Sequence, residues 1–474
     1  MSVSSRGLRF LALALLILAA ILSAWGASSE APHASRRAAV MAKIAGGVAI
    51  IPSQLAGPRG TQDSKEFYYL TGVEQPDAVL VLVGDAEKRE ILFNRAGKWA
   101  GESSPGPLEV RAMAELRSFL PRALRDKKAY VSFQGLDGTL EALGGAAAIS
   151  GAAAILPIDP ILAEMRMIKS PDEIQTLQQA IDITAEAFVE VLKAARPGMT
   201  EKDIDAVIQF TNLRRQATSS FTQVASGPNS VNIHFGSTPR VLQAGDVIVF
   251  DLGAWFEKNT SDISRTIPVS GKFTPEQAEI YDLVLRAQKE AISLMKPGTT
   301  AIQPQEAAEK VLLEGLARLG LVTDPASSWQ RRFYIQHGFG HGIGLDVHDV
   351  WSWWSPRMRT ETLKPGMVLT MEPGLYFPAG RLEQVPAMFK AQAPEDALKA
   401  FVAKVSPVYA KYAGMGCRIE DDVLITETGN RVLSSAAPKE IADIEKMMKE
   451  SSPFNQIIKS VGGRTTINDW LLLR

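Results

Sequence analysis

Two divalent cations about 3.5–4 Å apart repel each other unless anionic oxygens surround and bridge them. The sequence offers four carboxylates for that task, two in each copy of an internal repeat. Ala244-Gly245-Asp246-Val247-Ile248-Val249-Phe250-Asp251-Leu252-Gly253 aligns without a gap on Pro365-Gly366-Met367-Val368-Leu369-Thr370-Met371-Glu372-Pro373-Gly374, at an offset of 121 residues. In each copy a buried apolar strand is expected to end in a carboxylate, Asp251 or Glu372, and then to turn at a glycine. Asp262 follows on the next strand, where a hairpin places it on the face of Asp251. Glu420, within Arg418-Ile419-Glu420-Asp421-Asp422-Val423, is expected as the counterpart of Asp262. Strand alternation puts Arg418 and Glu420 on one face and Ile419 on the other.

Histidine usage points the same way. Of five histidines, three fall in His337-Gly338-Phe339-Gly340-His341-Gly342-Ile343-Gly344-Leu345-Asp346-Val347-His348-Asp349. The four glycines oppose a helix there and let imidazoles crowd against a site. His234 stands apart, and His33 is expected in the tail of a leader. Taken singly, a carboxylate at a strand end is ordinarily a turn or cap residue, and a glycine-rich stretch is ordinarily a loop. The conjunction of repeated strands, matched carboxylates and clustered histidines is what points to a metal site. Asp421 and Asp422 read as supporting charges rather than ligands. The one cysteine, Cys417, has no evident base partner and reads as a small buried residue. A lone cysteine also excludes a Cys-based zinc site and any intrachain disulfide, so oxygen donors dominate the metal chemistry.

The elements that must position these residues are legible as well. Ser170-Pro171-Asp172-Glu173 and Thr274-Pro275-Glu276-Gln277 are matching helix starts, each with a capping residue, a proline at the first position and Glu or Gln three residues on. Their helices are expected to stop at Arg196-Pro197-Gly198 and Lys296-Pro297-Gly298. Two pseudo-equivalent halves of helices plus a hairpin would gather the carboxylates at a central axis. Upstream, Ala78–Val83 and Glu90–Phe93 read as neighbouring buried strands of a small α/β domain. Leu156-Pro157-Ile158-Asp159-Pro160 reads as the joint.

With 474 residues, two domains are the natural expectation. A net charge of −1, with 46% apolar and 22% charged residues, gives no footprint for nucleic acid or acidic lipid. At the N-terminus, Arg6 and Arg9 precede an apolar run, Phe10 to Leu22, too short for an easy bilayer span. We expect a signal peptide over residues 1–27, cut near Gly26, with an uncleaved anchor as the alternative, and an exported protein, periplasmic or secreted, with no stable membrane span after cleavage.

This constellation resembles the pita-bread metallopeptidase family, in its aminopeptidase P and prolidase branch. The order Asp, Asp, His, Glu, Glu is met by Asp251, Asp262, His341, Glu372 and Glu420. The stretches His337–Asp349 and Arg418–Asp422 are similar to the branch's motifs, as is Val224-Ala225-Ser226-Gly227-Pro228-Asn229-Ser230 leading to His234. Phe67-Tyr68-Tyr69-Leu70-Thr71-Gly72 resembles the opening of a creatinase-like N-terminal domain, which methionine aminopeptidase lacks. The sequence departs from the family in three places: an insertion of about Gly380 to Gly416, expected beside the site; the tail after about Ser452; and the leader.

The resemblance implies an α/β (α+β) protein: a creatinase-like domain over 38–160, a pita-bread domain with pseudo-twofold repeat over 161–451, and a tail over 452–474. It implies two divalent ions, Mn²⁺ or else Zn²⁺, Co²⁺ or Fe²⁺, with Asp262 and Glu420 bridging, Asp251 on one ion, and His341 and Glu372 on the other. It casts Glu372 as proton acceptor and His348 as oxyanion stabiliser. His234 and His337 would line a proline subsite, and Arg418 would hold the carboxylates. The implied reaction is release of the first residue from peptides with proline in second position. A prolidase cutting only Xaa-Pro dipeptides is the alternative, and a non-catalytic peptide-binding module on the same fold a more distant one. A homo-oligomer, dimer or tetramer, is expected, with Trp99 of a neighbouring subunit as a candidate wall of the pocket.

Overall fold

Both predicted helix starts form as capping boxes. Ser170 Oγ accepts from the Glu173 amide while Glu173 accepts from the Ser170 amide, and Thr274 and Gln277 do the same. The helices they begin are α2 (Pro171–Ala194) and α4 (Pro275–Leu294). Each is followed by a Pro-Gly turn whose glycine, Gly198 or Gly298, has a positive φ of 92° or 84°, a conformation glycine adopts without strain. A second helix follows each turn, α3 (Glu201–Arg214) and α5 (Ile302–Arg318). The helical half of the repeat is therefore present.

The structure, a computed structural model, describes residues 31–57, 60–99, 107–133, 137, 140, 143–350 and 359–455. The expected leader and the tail beyond residue 455 lie outside the described residues. The chain divides into two compact units, Met1–Met165 and Arg166–Arg474. Among the described residues no helix is long and apolar enough to cross a membrane.

The first unit opens with helix α1 (Ala31–Lys43), which carries His33; its Nδ1 lies 3.0 Å from the Tyr69 carbonyl oxygen. Its six-stranded mixed sheet comprises β1 (Val48–Pro52), β2 (Ala78–Val83), β3 (Arg89–Asn94), β4 (Glu109–Ala112), β5 (Lys128–Val131) and β6 (Ala154–Pro157), in the order β4-β3-β2-β1-β5-β6. β2 and β3 are neighbours, as expected, and pair antiparallel; every residue of β1 and β2 is buried. Continuous apolar runs suit strands covered on both faces. Phe67–Thr71 lies in a short helix ending at Gly72 in the left-handed conformation. The predicted joint at 156–160 falls on β6 and the start of the next helix, just before the division at residue 165.

In the second unit, β7 (Thr218–Ser226), β8 (Val247–Phe256) and β9 (Ile263–Pro268) form an antiparallel sheet with β8 in the middle. The other half contributes β10 (Val368–Met371), β11 (Gly374–Phe377), β12 (Met415–Arg418) and β13 (Asp421–Ile425), with β10 on β13 and β11 on β12. Helix α2 packs beneath the first sheet, Phe188 against Phe250 at 5.9 Å between ring centroids. Helix α4 does the same for the second: buried Gln288 donates to the carbonyls of Met371 (3.1 Å) and Ile419 (3.2 Å).

The expected insertion folds into helix α6 (Glu395–Tyr409), whose buried face, including Leu398 and Phe401, packs on the helix Ser328–Tyr334. It reaches toward the histidine segment through Arg381, which donates to Gln336 at 3.0 Å. Of the C-terminal tail, Phe454 stacks edge-on against Phe210.

Candidate active site

Backbone register decides which carboxylates share a face. In the β8–β9 ladder Asp251 stands opposite Ser264 and Leu252 opposite Ile263, so Asp262, two residues before Ser264, points to the same side as Asp251. Asp251 does not end its strand as expected; it is the fifth of ten residues, and β8 runs on through Gly253 to Phe256. A Cβ on Gly253 would lie 2.4 Å from Phe221 and 2.6 Å from the Ser261 carbonyl, so here glycine serves close packing rather than a turn.

In the other half, Met371 pairs with Asp421 and Gly374 with Arg418, which brackets Glu372 opposite Glu420. The two halves are thus not matched residue for residue. Register makes Ser264, not Asp262, the counterpart of Glu420; Asp262 lies two residues earlier, over Gly253. The ladder opens at Glu372 and Glu420, freeing their amides for other partners. The Glu372 amide bonds Phe339 O (3.0 Å), tying in the histidine segment, and the Glu420 amide bonds Ser264 O (2.9 Å), tying in the other half.

The histidine segment runs beside β10. The Thr370 amide donates to His341 O at 2.9 Å, and a Cβ on Gly340 would meet Thr370 O at 2.6 Å, so only glycine allows this approach. His341 Nδ1 lies 3.0 Å from the Gly342 carbonyl, which can only accept, so Nδ1 carries the proton and the Nε2 lone pair faces the carboxylates. Nε2 is 3.4 Å from Asp262 Oδ2, 3.6 Å from Glu372 Oε1 and 4.0 Å from Glu420 Oε1. Burial, then the nearby His348, lowers the His341 pKa to about 4, which keeps the ring neutral and able to ligate.

Asp262, His341 and Glu420, all buried, present ligand atoms within 4.8 Å of one another. Asp262 Oδ1 and Glu420 Oε1 are buried with no hydrogen-bond partner. Two anionic oxygens left without donors in a dry site are costly unless cations satisfy them. The carboxyl groups register this crowding. Burial, then the charges of Glu420, Asp251 and Glu372, raises Asp262 well above the usual aspartate range. Burial, then Glu420, does the same to Glu372, and burial, then Asp251, pushes Glu420 up to about 7. The donor set, four carboxylates and one neutral imidazole, suits hard divalent cations, and the residues present fit a metal centre.

Asp251 is the exception, because Arg418 answers it. Burial would raise its carboxyl, but the guanidinium, 2.7 Å away, holds it below the usual range. Arg418 is itself buried and organises the whole wall. It donates to Asp251, to Ser264 Oγ (2.8 Å), to Tyr376 Oη (2.9 Å) and to Ile233 O (3.0 Å). Ser264 Oγ also lies 3.0 Å from Asp251 Oδ1 and 2.8 Å from Glu420 Oε2, joining the two halves. Tyr376 Oη is 3.0 Å from His337 Nε2, while His337 Nδ1 lies 2.7 Å from Gly338 O. His337 Nδ1 is 3.7 Å from Glu372 Oε2, and burial, then Arg418, lowers its pKa to about 4.

The His348 ring sits 4.3 Å from that of His341. His234 is exposed, and its chain neighbours hold it at the rim of the same site: the Ile233 carbonyl accepts from Arg418 at 3.0 Å, and the Phe235 amide donates to Gln223 at 2.8 Å. The predicted metal-ligand, catalytic and subsite residues therefore fall in one region of the second unit, while Trp99, the candidate wall from a neighbouring subunit, lies in the first. Asp421 is a support, as expected: it is buried and paired with Arg265 at 2.7 Å and with Lys439. Asp422 Oδ2 accepts from the Asp262 amide at 3.2 Å. Cys417 is buried, and burial pushes its thiol up to about 12, far from a thiolate nucleophile.

Sequence reasoning missed Ser264 and Tyr376. Both follow from strand alternation: Ser264 is two residues past Asp262, and Tyr376 four past Glu372.

The sequence pattern of metallopeptidase family M24 matches residues 175–427, and that of the aminopeptidase P N-terminal domain matches residues 33–131. The chain is 36% identical over 408 residues to the Xaa-Pro aminopeptidase of Haemophilus influenzae, covering 82% of this chain and 88% of that protein. It is 33% identical to the Xaa-Pro aminopeptidase of Escherichia coli, covering 82% and 89%. A solved structure of a variant of Escherichia coli aminopeptidase P superposes with a TM-score of 0.73 at 31% identity, covering 89% of this chain and 98% of that one. The paired carboxylates, the histidine segment and these matches agree: the chain belongs to metallopeptidase family M24 and carries the aminopeptidase P N-terminal domain ahead of its metallopeptidase unit.

Proposed function

We propose that this protein is a metal-dependent Xaa-Pro aminopeptidase, releasing the first residue of peptides whose second residue is proline. The observation that carries the reading is the pair of orphaned buried oxygens, Asp262 Oδ1 and Glu420 Oε1, beside the His341 Nε2 lone pair. Asp251, Asp262, His341, Glu372 and Glu420 would hold the two ions. When bound, such a pair supplies the Lewis acidity that brings the pKa of water near neutrality. Mn²⁺ suits a donor set of four carboxylates to one imidazole.

The chain's own residues do the rest. Arg418 and Ser264 fix the angle of Asp251 and Glu420 before substrate arrives. Glu372, the most solvent-reachable carboxylate of the set together with Asp251, takes the proton of the attacking water and returns it to the departing proline nitrogen. His348 donates to the oxyanion of the tetrahedral intermediate. His337, steered by Tyr376, and His234 line the proline side. The scissile amide has no N–H and a fixed ring, so a wall that asks for no N–H donor accepts it. Arg6, Arg9 and the apolar run Phe10–Leu22 support export to the periplasm or beyond. We place Trp99 of a neighbouring copy at the pocket's edge in a homo-oligomer.

The test is a pair of substrates. Protein stripped with chelator and reloaded with Mn²⁺ is assayed on an Xaa-Pro-Xaa tripeptide and an Xaa-Pro dipeptide. Cleavage of the tripeptide, lost with chelator and regained with Mn²⁺, supports the proposal. Cleavage of the dipeptide alone replaces it with a prolidase.

A further inference from the structure

His234 is exposed, yet the chain on either side of it is held. The Phe235 amide donates to Gln223 Oε1 at 2.8 Å, and the Ile233 carbonyl accepts from Arg418 at 3.0 Å. Gln223 is 3% exposed and stands directly across from Asp251 in the β7–β8 ladder, so the two side chains share a face. Its tie to Phe235 therefore runs from the carboxylate wall to the rim.

A second buried group closes the segment's two ends. Glu201, the first residue of α3, has no exposed surface. Its Oε1 accepts from the amide and hydroxyl of Ser226, both at 2.7 Å, and from Asn229 Nδ2 at 3.0 Å. Its Oε2 accepts from the amide (3.0 Å) and hydroxyl (2.5 Å) of Thr238. Burial raises its pKa, but these donors outweigh burial and hold it below the usual glutamate range, so the carboxylate stays charged. One side chain thus fastens both ends of the stretch from Ser226 to Thr238. Its middle is fastened too: Ser230 Oγ accepts from the Gly416 amide at 2.9 Å, and a Cβ on Gly416 would lie 1.9 Å from Ser230 O.

We propose that Glu201 and Gln223 are positioning residues for the substrate-side wall. They fix the backbone of His234 before the peptide binds, and neither touches it. Preorganisation of this kind shows as affinity, because the ordering cost is met in folding rather than at binding. The inference rests on the reading above that His234 contacts the substrate.

The test uses the full-length, Mn²⁺-loaded enzyme and an Xaa-Pro-Xaa peptide. Gln223→Met keeps the side-chain size and removes the acceptor for the Phe235 amide; Glu201→Gln turns two donors of its own toward groups that also donate. Each variant is expected to raise KM roughly tenfold, the factor one lost buried hydrogen bond allows, with kcat and metal content near those of the parent. His234→Ala raises KM as well, and adding Gln223→Met to it produces no further rise, since the group being positioned is gone. A raised KM in His234→Ala with an unmoved KM in Gln223→Met and Glu201→Gln overturns the wall alone. Additive effects in the double variant, or a fall in kcat with loss of metal, overturn it too. An unchanged KM in His234→Ala overturns the substrate contact of His234, and the wall with it.

Discussion

Removing divalent cations should make this protein less stable as the pH rises toward neutrality. Asp262, Glu372 and Glu420 crowd around His341 Nε2, within 3.4–4.0 Å of it, and all three titrate above their ordinary values. A carboxyl group whose pKa is raised by folding stabilises the folded state below its unfolded pKa, and that contribution is lost as pH climbs through the folded value. For Glu420 the window runs from 4.5 to about 7. At about 1.4 kcal/mol per unit, this residue alone removes on the order of 3 kcal/mol between about pH 5 and pH 7.5. That is a sizeable share of the roughly 5–15 kcal/mol that holds a domain folded. The assay is thermal unfolding of chelated protein across that range, beside protein saturated with Mn²⁺. The chelated form is expected to lose on the order of 5 °C in Tm from pH 5 to pH 7.5. The saturated form loses none, because cations bind the deprotonated carboxylates. A flat Tm in chelator, or the same slope with and without Mn²⁺, would show that these carboxyl groups are not crowded in the metal-free protein.

Other outcomes follow from the same contacts. Asp262→Asn should lower turnover by on the order of 10³-fold, and should raise the Tm of the chelated protein near pH 7.5 by removing one of the crowded charges; differential scanning of both forms checks this. Arg418→Met strands Asp251 in a buried site and is expected to cost about 3–5 kcal/mol in denaturant unfolding, against near-zero cost for a surface arginine such as Arg95. Cys417→Ala should keep kcat/KM, and alkylating reagents should leave the native enzyme active, because the thiol is buried and protonated; inhibition by such reagents would contradict this.

The helical half of the repeat was readable because capping is local: Ser170 and Thr274 announce their helices within four residues. The five candidate ligands were readable because chemistry restricts them to Asp, Glu and His, and the repeat restricts where they stand. Register was less accessible. The two-half symmetry suggested that Glu420 mirrors Asp262, but a period of two makes a two-residue displacement invisible by face, and pairing instead matches Glu420 to Ser264. The end of β8 was also misplaced, since Gly253 looks like a turn residue until the approach of Phe221 and Ser261 is known. Glu201 and Gln223 lay beyond reach for a different reason: their importance is a matter of long-range partners, and nothing in a helix-start glutamate or a strand glutamine signals them.

Asp251, Asp262, His341, Glu372 and Glu420 are proposed to hold a pair of divalent cations together. Metal analysis of Mn²⁺-equilibrated, dialysed protein measures it directly. About two ions per chain are expected in the parent and in His348→Ala, and less than one in Glu420→Gln, which loses a ligand. A parent chain that retains one ion or none, or a Glu420→Gln variant that keeps both, would contradict it.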